Sequence, residues 1–188
     1  MLNSYWNNMT NIAQKYLKEY RNLRNEIDSA VKILENEHSA QLECKTGCDL
    51  CCMDYGILPI EFFSILEELR SGEFRKKSLT ETPNDETSCV FLQNHVCAIY
   101  KSRPAICRTH GLPLLFTNED GEWQLSACEL NFTQFNFEKF TTENTYPQDK
   151  YNSKLFLLNR NFIAEYKEEN FEEFDLIPLK KLVEYLKK

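Results

Sequence analysis

The sequence predicts an α+β fold that is predominantly helical, and three observations carry this prediction. Apolar residues recur three and four positions apart over residues 4–37, without glycine or proline, as in a long helix. A second helical pattern follows Pro147. All eight cysteines lie between these regions, among short apolar runs typical of β-hairpins. We therefore expect a single domain (1–188), in which a long N-terminal helix (1–40) and a C-terminal helical region (131–188) surround a small cysteine-rich core (41–130).

The predicted N-terminal helix carries its apolar residues along one seam. The seam consists of Trp6, Met9, Ala13, Tyr16, Tyr20, Leu23, Ile27, Ala30 and Leu34. Such a heptad seam suits either a coiled coil with a second copy, which would give a homo-oligomer, or packing along the chain's own core. A tryptophan and two tyrosines are bulky for a two-stranded coiled coil. The sequence therefore favours packing within the chain and keeps the homo-oligomer as the alternative.

Three shorter helices are also predicted. The first has Pro59 in its first turn and ends near Gly72. The second covers about 148–169, and the last starts at Pro178. Their inward residues are expected to be Phe62, Ile65, Leu66 and Leu69 in the first, Tyr151, Leu155, Leu158, Phe162 and Tyr166 in the second, and Leu179, Leu182, Val183 and Leu186 in the third.

Two short hairpins are predicted within the cysteine-rich core. The first pairs 89–92 with 96–100 and has a thiol on each arm. The second pairs 112–117 with 123–126 and turns at Asp120 and Gly121. A turn or a single helical turn is expected over 101–108 between them, a polar surface loop over 73–88 before them, and a phenylalanine-rich stretch without a clear period over 131–146 after them.

The composition disfavours several classes of function. With 22 Lys and Arg against 29 Asp and Glu, the net charge of −7 argues against binding to nucleic acid or to anionic membranes. No run of about eighteen apolar residues is present, so no membrane span is expected. The first ten residues lack the basic and apolar regions of a signal peptide. We therefore expect a cytoplasmic protein, whose thiols stay reduced.

The density of cysteines indicates metal binding. The eight cysteines are Cys44, Cys48, Cys51, Cys52, Cys89, Cys97, Cys107 and Cys128. In a reducing compartment such a cluster is more typical of metal ligands than of disulfides. Zn²⁺ takes four ligands in a tetrahedron, and iron–sulfur clusters are likewise held by thiolates. Eight sulfurs suit two four-ligand sites or one larger cluster, and the spacing leaves this choice open.

The cysteines and their neighbours resemble a known family. The most specific string is Cys97-x-Ile99-Tyr100-x-x-Arg103-Pro104-x-x-Cys107-Arg108, preceded by Cys89-x-Phe91-Leu92 and by the dense run over 44–52. Together these strings resemble the CxxCxxCC, or YkgJ-like, family of zinc- or iron-chelating domains over roughly 44–128. The resemblance implies that all eight cysteines are metal ligands and that the cofactor is zinc or iron. The first gap between cysteines here has three residues, where the family has two.

Three further residues are candidates to support the ligands. Arg103 and Arg108 would offset the negative charge of thiolates and donate to sulfur, although binding of an anionic substrate or an ordinary ion pair would also explain them. His110, three residues after Cys107, could lie beside the ligands or replace a thiol, although a solvated loop histidine explains it more simply.

Other polar residues near the cysteines have simpler explanations. Glu61 is expected to stabilise the first turn of its own helix rather than to reach the metal. His95, two residues before Cys97, could also replace a thiol, although a solvated loop position explains it more simply. His38 is expected to lie on the surface.

Three functions remain open from the sequence. The favoured one is a metal-binding protein whose zinc or iron ions are structural or stored. The second is an iron–sulfur or iron-dependent enzyme with redox or methyl-transfer chemistry. Some larger proteins that resemble this family are flagellin lysine methylases, and that resemblance implies the methyl-transfer alternative. In addition, Cys44-x-x-x-Cys48-x-x-Cys51 is the spacing of radical SAM enzymes. Those enzymes need a long βα barrel, which this chain does not predict. The third is a helical interaction module with structural zinc. The sequence identifies no catalytic residue.

Overall fold

The computed structural model describes residues 11–71, 88–166 and 169–187. Within these ranges the chain forms five α-helices and several very short strands, and the predicted α+β, predominantly helical fold class is confirmed. No helix in the described ranges is long and apolar enough to cross a membrane. The helices are α1 (Asn11–Glu37), α2 (Pro59–Ser71), α3 (Ala105–Thr109), α4 (Gln148–Glu165) and α5 (Lys181–Lys187).

Helix α1 packs its apolar seam on α2, α3 and α4 of the same chain. Its buried residues are Ala13, Leu17, Tyr20, Leu23, Ile27, Val31 and Leu34, five of which belong to the predicted seam. The predicted Tyr16 and Ala30 are only half-buried, while Leu17 and Val31 are buried, because an uninterrupted helix of 3.6 residues per turn drifts away from a strict heptad. Trp6 and Met9 lie outside the described residues. A homo-oligomer through this helix stays a prediction.

Helix α2 is the centre of the hydrophobic core. Every residue from Pro59 to Leu66 is buried, including Glu61. A helix that is buried on every face must pack against several other helices, and α2 contacts α1, α4 and α5. The predicted start at Pro59 and the predicted inward residues are confirmed.

The strands form three small sheets. Strand β1 (Gly56–Ile57) pairs antiparallel with β7 (Ile177–Pro178). Strands β2 (Leu92–Gln93) and β3 (Val96–Cys97) form the first hairpin. Strand β4 (Leu114–Thr117) pairs antiparallel with β5 (Trp123–Ser126) and parallel with β6 (Tyr146–Pro147). The second predicted hairpin is therefore present and gains a third strand.

The first hairpin is shorter than the predicted one. Leu92 lies opposite Cys97, so Cys89 precedes the strand and is not on its arm. Asn94 and His95 have φ values of 48° and 62° and form the two-residue turn. Left-handed backbone at both turn positions is the geometry of the tight type I′ hairpin.

The C-terminal helices are shorter than expected. Helix α4 ends at Glu165, and residues 167–168 lie outside the described ranges. Helix α5 begins at Lys181 rather than at Pro178, because Pro178 is used by the β1–β7 pair. Tyr151, Leu155, Phe162 and Tyr166 are buried as predicted, whereas Leu158 is half-buried.

The expectation that His38 lies on the surface is wrong. Its side chain is buried, and its Nε2 lies 2.7 Å from the carbonyl oxygen of Asn144. The rings of Phe132, Phe135 and Phe140 meet it edge to face. The phenylalanine-rich stretch therefore forms an aromatic cluster around the end of α1 instead of a regular element, which explains its lack of period.

Candidate metal centre

Consecutive turns fold the dense run of cysteines back on itself. The amide of Cys48 donates to the carbonyl of Lys45 over 3.0 Å, and the amide of Cys52 donates to that of Asp49 over 2.8 Å. Gly47 lies in the first turn with φ +97°, a conformation that strains residues with a Cβ. The run therefore cannot extend, and its four thiols stay close to one another.

Backbone contacts join Cys52 to the first hairpin. The amide of Cys89 donates to the carbonyl of Cys52 over 3.1 Å, and the amide of Leu92 donates to that of Cys89 over 2.9 Å. Leu92 pairs with Cys97 across the hairpin, and α3 carries the next cysteine. We call this set, which is deeper in the protein, the inner thiol group: Cys52, Cys89, Cys97 and Cys107.

The remaining cysteines form a more exposed set. Asn131 joins the first and the last cysteine of this set. Its backbone amide donates to the carbonyl of Cys128 over 2.9 Å, and its side-chain Nδ2 donates to Sγ of Cys44 over 3.3 Å. The Cys44 and Cys51 thiols are exposed. We call this set the outer thiol group: Cys44, Cys48, Cys51 and Cys128.

The electrostatics of the thiols follow the same division. Burial raises the pKa of the Cys107 thiol, and the neighbouring thiolates of Cys89 and Cys97 raise it further. Burial likewise raises the pKa of Cys44, and there the thiolates of Cys128 and Cys48 contribute. Like charges shift a pKa strongly only when they are near, so Cys107 and Cys44 each interact mainly with thiols of their own group.

Cysteine 52 connects the two groups electrostatically. Burial raises the pKa of its thiol to about 12, with contributions from the thiolates of Cys51, Cys89 and Cys97. Burial also raises the pKa of the Cys89 thiol to about 11. Without a metal ion, these thiols are therefore protonated at neutral pH, and a bound cation would displace their protons.

The thiols surround one cavity of about 310 Å³. Seven of the eight cysteines line it, all except Cys128, together with Arg103 and His110. The guanidinium of Arg103 lies over the ring of Tyr100, 4.0 Å from its centroid. The buried Arg103 Nε and His110 Nε2 have no hydrogen-bond partner among the residues that the structure describes. Unpaired buried groups of this kind indicate a site for a ligand or for charged sulfur.

His110 lies beside Arg103 and is only partly accessible to solvent. Its ring is 5.3 Å from the ring of Tyr55. Burial and the nearby charge of Arg103 lower the pKa of His110 below its usual value. The imidazole is therefore neutral at physiological pH and keeps a lone pair that can accept a proton or bind a metal.

Most hydrogen bonds of the Arg108 guanidinium are made to residues that do not line the cavity. Its guanidinium donates to Oδ2 of Asp28 over 2.6 Å, to the carbonyl of Lys101 over 2.6 Å and to that of Arg103 over 2.8 Å. These contacts fix the turn before α3 to α1. The geometry thus gives Arg108 a role in holding the arm that presents Cys107.

Glu61 and His95 also have partners within the protein. Both Glu61 oxygens accept hydrogen bonds, one from the amide of Leu58 immediately before α2, which agrees with the expected helix-stabilising role. His95 is exposed, and its Nδ1 lies 2.8 Å from Oδ2 of Asp49. Asp28 and Asn131, which the sequence analysis missed, belong to no recognisable pattern and are revealed only by their contacts.

The cavity holds reduced thiols rather than a preformed coordination sphere. All eight cysteines are free. In the described ranges, no three Cys, His, Asp or Glu side chains converge closely enough to hold an ion. The case for a metal here depends on the donor set, because thiolates are the ligands that zinc and iron–sulfur clusters prefer.

Comparison with known proteins agrees with this donor set. Residues 43–129 match the CxxCxxCC family, which is described as "Putative zinc- or iron-chelating domain". The middle of the chain is therefore similar to CxxCxxCC domains. The match includes all eight cysteines, Arg103, Arg108 and His110, and it ends two residues before Asn131. Neither a curated protein nor a solved structure matches the chain.

Proposed function

We propose that the CxxCxxCC domain chelates zinc or iron through its eight thiolates, four from the inner and four from the outer thiol group. The observation that carries the proposal is that the cavity is lined by seven of the eight cysteines. Four thiolates complete the coordination of one Zn²⁺ ion, and four also hold one iron–sulfur cluster. Either metal would supply the same structural effect here, which is to tie together segments that are distant in the sequence.

The division into two groups is supported by the chain geometry. Cys51 and Cys52 are adjacent, so a single backbone turn can supply one ligand to each group. Cys52 is tied to Cys89 through the backbone, whereas Cys44 is tied to the segment of Cys128 through Asn131. A single larger cluster would require all eight sulfurs to converge, whereas Cys128 does not line the cavity that the other seven cysteines share.

Arg103 is suited to balance the charge of the inner group. Four thiolates on one divalent ion leave a net charge of −2 by valence, which is costly in a partly buried site unless a cation is near. Burial raises the pKa values of Cys97 and Cys107, and the charge of Arg103 offsets part of this rise. Its unpaired Nε is available to donate to sulfur.

A second candidate function is an iron–sulfur or iron-dependent enzyme. It is favoured by one observation, namely that the cavity wall carries two unpaired polar groups, Arg103 Nε and His110 Nε2. Such groups would suit an anionic substrate beside an iron with an open coordination position. We also infer a cytoplasmic location, since thiols stay reduced there.

Elemental analysis and an absorption spectrum of protein purified without oxygen test the proposal. Colourless protein with two zinc ions per chain would support structural or stored zinc. Brown protein with iron and sulfide would support the second candidate. Cys44→Ser and Cys107→Ser serve as matched variants, one in each group. Each should remove one ion or cluster and leave the other. Loss of both from either variant would contradict two sites, and metal-free wild-type protein would contradict chelation altogether.

A further inference from the structure

Asn131 lies outside the family match, yet its side chain connects three segments at the outer thiol group. It is 4 % exposed. Its Oδ1 accepts from the amide of Glu43 over 2.8 Å. Its Nδ2 donates to the carbonyl of Gly111 over 2.7 Å and to Sγ of Cys44 over 3.3 Å. Every polar atom of this buried amide is therefore used, and one of its partners is the thiol itself.

Gly111 encloses the same sulfur from another side. Its φ is +93°, and a Cβ added there would lie 2.5 Å from Sγ of Cys44 and 3.1 Å from Nδ2 of Asn131. Cβ atoms do not approach other atoms that closely, so only glycine leaves room for the sulfur where it is. Cys44 is an exposed residue, but its sulfur lies against Gly111 and accepts a hydrogen bond from Asn131.

We propose that Asn131 is a positioning residue that holds Cys44 in place as a ligand of the outer thiol group by donating a hydrogen bond to its sulfur. This role rests on the proposed function, in which Cys44 is a metal ligand. Hydrogen bonds to ligating groups orient them and set their basicity, and removing such a partner typically weakens metal retention about 10–100-fold. Charge on the thiolate would strengthen the bond further.

The substitution Asn131→Asp distinguishes the positioning of Cys44 from a general contribution of Asn131 to folding stability. The substitution keeps the size of the side chain and the acceptor for the amide of Glu43. It removes the N–H groups that donate to Cys44 and Gly111, and it places carboxylate oxygen beside both acceptors. The specific effect on the metal should therefore exceed any effect on folding.

Asn159→Asp is the matched control. Asn159 is also a buried asparagine, whose Oδ1 accepts from the amide of Ile60 over 3.1 Å and whose Nδ2 donates to the carbonyl of Glu173 over 3.5 Å. It has the same pattern of backbone partners as Asn131 but no thiol. General destabilisation by a buried carboxylate should thus appear in both variants, and loss of metal in only one.

The test uses the full chain loaded with cobalt(II), whose thiolate charge-transfer band reports sulfur ligation. We expect N131D to lose cobalt to a chelator about 10–100-fold faster than wild type, with a weaker band, and N159D to lose it at the wild-type rate. Equal rates for N131D and N159D would overturn the role of Asn131 while leaving chelation intact. Wild-type protein that takes up no cobalt would overturn both.

If N131D does not fold, Gly111→Ala tests the same sulfur. Its control is Gly121→Ala, because Gly121 has φ +80° and nothing within 4 Å of an added Cβ. Both substitutions strain a left-handed backbone, but only G111A displaces Cys44. Faster cobalt loss from G111A alone would support the positioning of Cys44, and equal loss from both variants would overturn it.

Discussion

The phenol of Tyr20 donates a hydrogen bond to Oε1 of Glu61 over 3.1 Å in the core of the protein, where both side chains are shielded from solvent. The same oxygen accepts from the amide of Ala105 over 2.9 Å. One carboxyl group thereby joins α1, the first turn of α2 and the start of α3. Because α3 carries Cys107, this junction helps to set the position of an inner thiol.

We predict that Glu61→Gln changes how stability depends on pH. Burial raises the pKa of Glu61 above its ordinary value of 4.5, although hydrogen bonds from Ala105 and Tyr20 oppose the shift. The folded protein then keeps a proton that the unfolded chain releases. The stability that Glu61 contributes is present at acidic pH and is lost as pH rises above 4.5.

Urea unfolding in steps from pH 4.5 to neutrality measures this effect. The free energy of unfolding of the wild type should fall with rising pH relative to that of Glu61→Gln, whose amide does not titrate. A constant difference between the two proteins across this range would show that Glu61 has no raised pKa.

Asp28→Asn should destabilise the fold by about 1.5–3 kcal/mol, the range for hydrogen bonds to a charged group. The guanidinium of Arg108 is buried and loses its charged partner, while water reaches the half-exposed Asp28 position and limits the cost. Chemical denaturation measures the change. Glu26→Gln is the control, because its pair with Lys154 is exposed and should contribute less than about 1 kcal/mol. Equal effects of the two substitutions would contradict a special role for the buried Arg108.

His38→Ala should cost about 2–4 kcal/mol in unfolding free energy, from the lost volume and the lost contact with Asn144. The three phenylalanine rings around His38 would then border a void. Thermal or urea unfolding measures the loss. His95→Ala is the control at an exposed histidine, with an expected change within about 0.5 kcal/mol. A small effect at both positions would mean that the aromatic cluster closes without His38.

Metal affinity should rise with pH. Burial raises the pKa of the Cys52 thiol to about 12 and that of Cys89 to about 11, so bound metal must displace their protons. If at least one proton leaves per ion, the apparent zinc affinity increases about tenfold or more per pH unit between about pH 6 and 8. Competition with a zinc indicator, corrected for the indicator's own protonation, measures this slope. An affinity that is flat over the range would mean that the thiols are already ionised.

The sequence predicts those features whose cause is local. The seam of α1 and the proline at the start of α2 follow from helix period and backbone chemistry, and both are present. Strand β1 could not be predicted, because two residues carry no period and its partner is Ile177 and Pro178, more than a hundred residues away. Short strands of this kind depend on tertiary packing rather than on their own preferences.

In the candidate site, too, the sequence predicts only the features whose cause is local. Cysteine spacing predicts which thiols belong together in the chain, and the family match covers them. The division into an inner and an outer group follows from the hairpin register and from Asn131, neither of which spacing contains. The burial of His38 does not follow from the sequence for a similar reason, since a lone histidine has no pattern and only its neighbours decide whether it is buried.

Several contacts that hold the cysteines in place come from beyond the edges of the CxxCxxCC match. Asp28 neutralises Arg108, Tyr20 donates to Glu61, and strand β7 completes the pair with β1. A gene fragment encoding only residues 43–129 would inherit the thiols without the parts that arrange them. The matched segment is therefore not independent of the rest of the chain. Any protein into which it were grafted would have to provide an equivalent acid, phenol and strand from its own sequence.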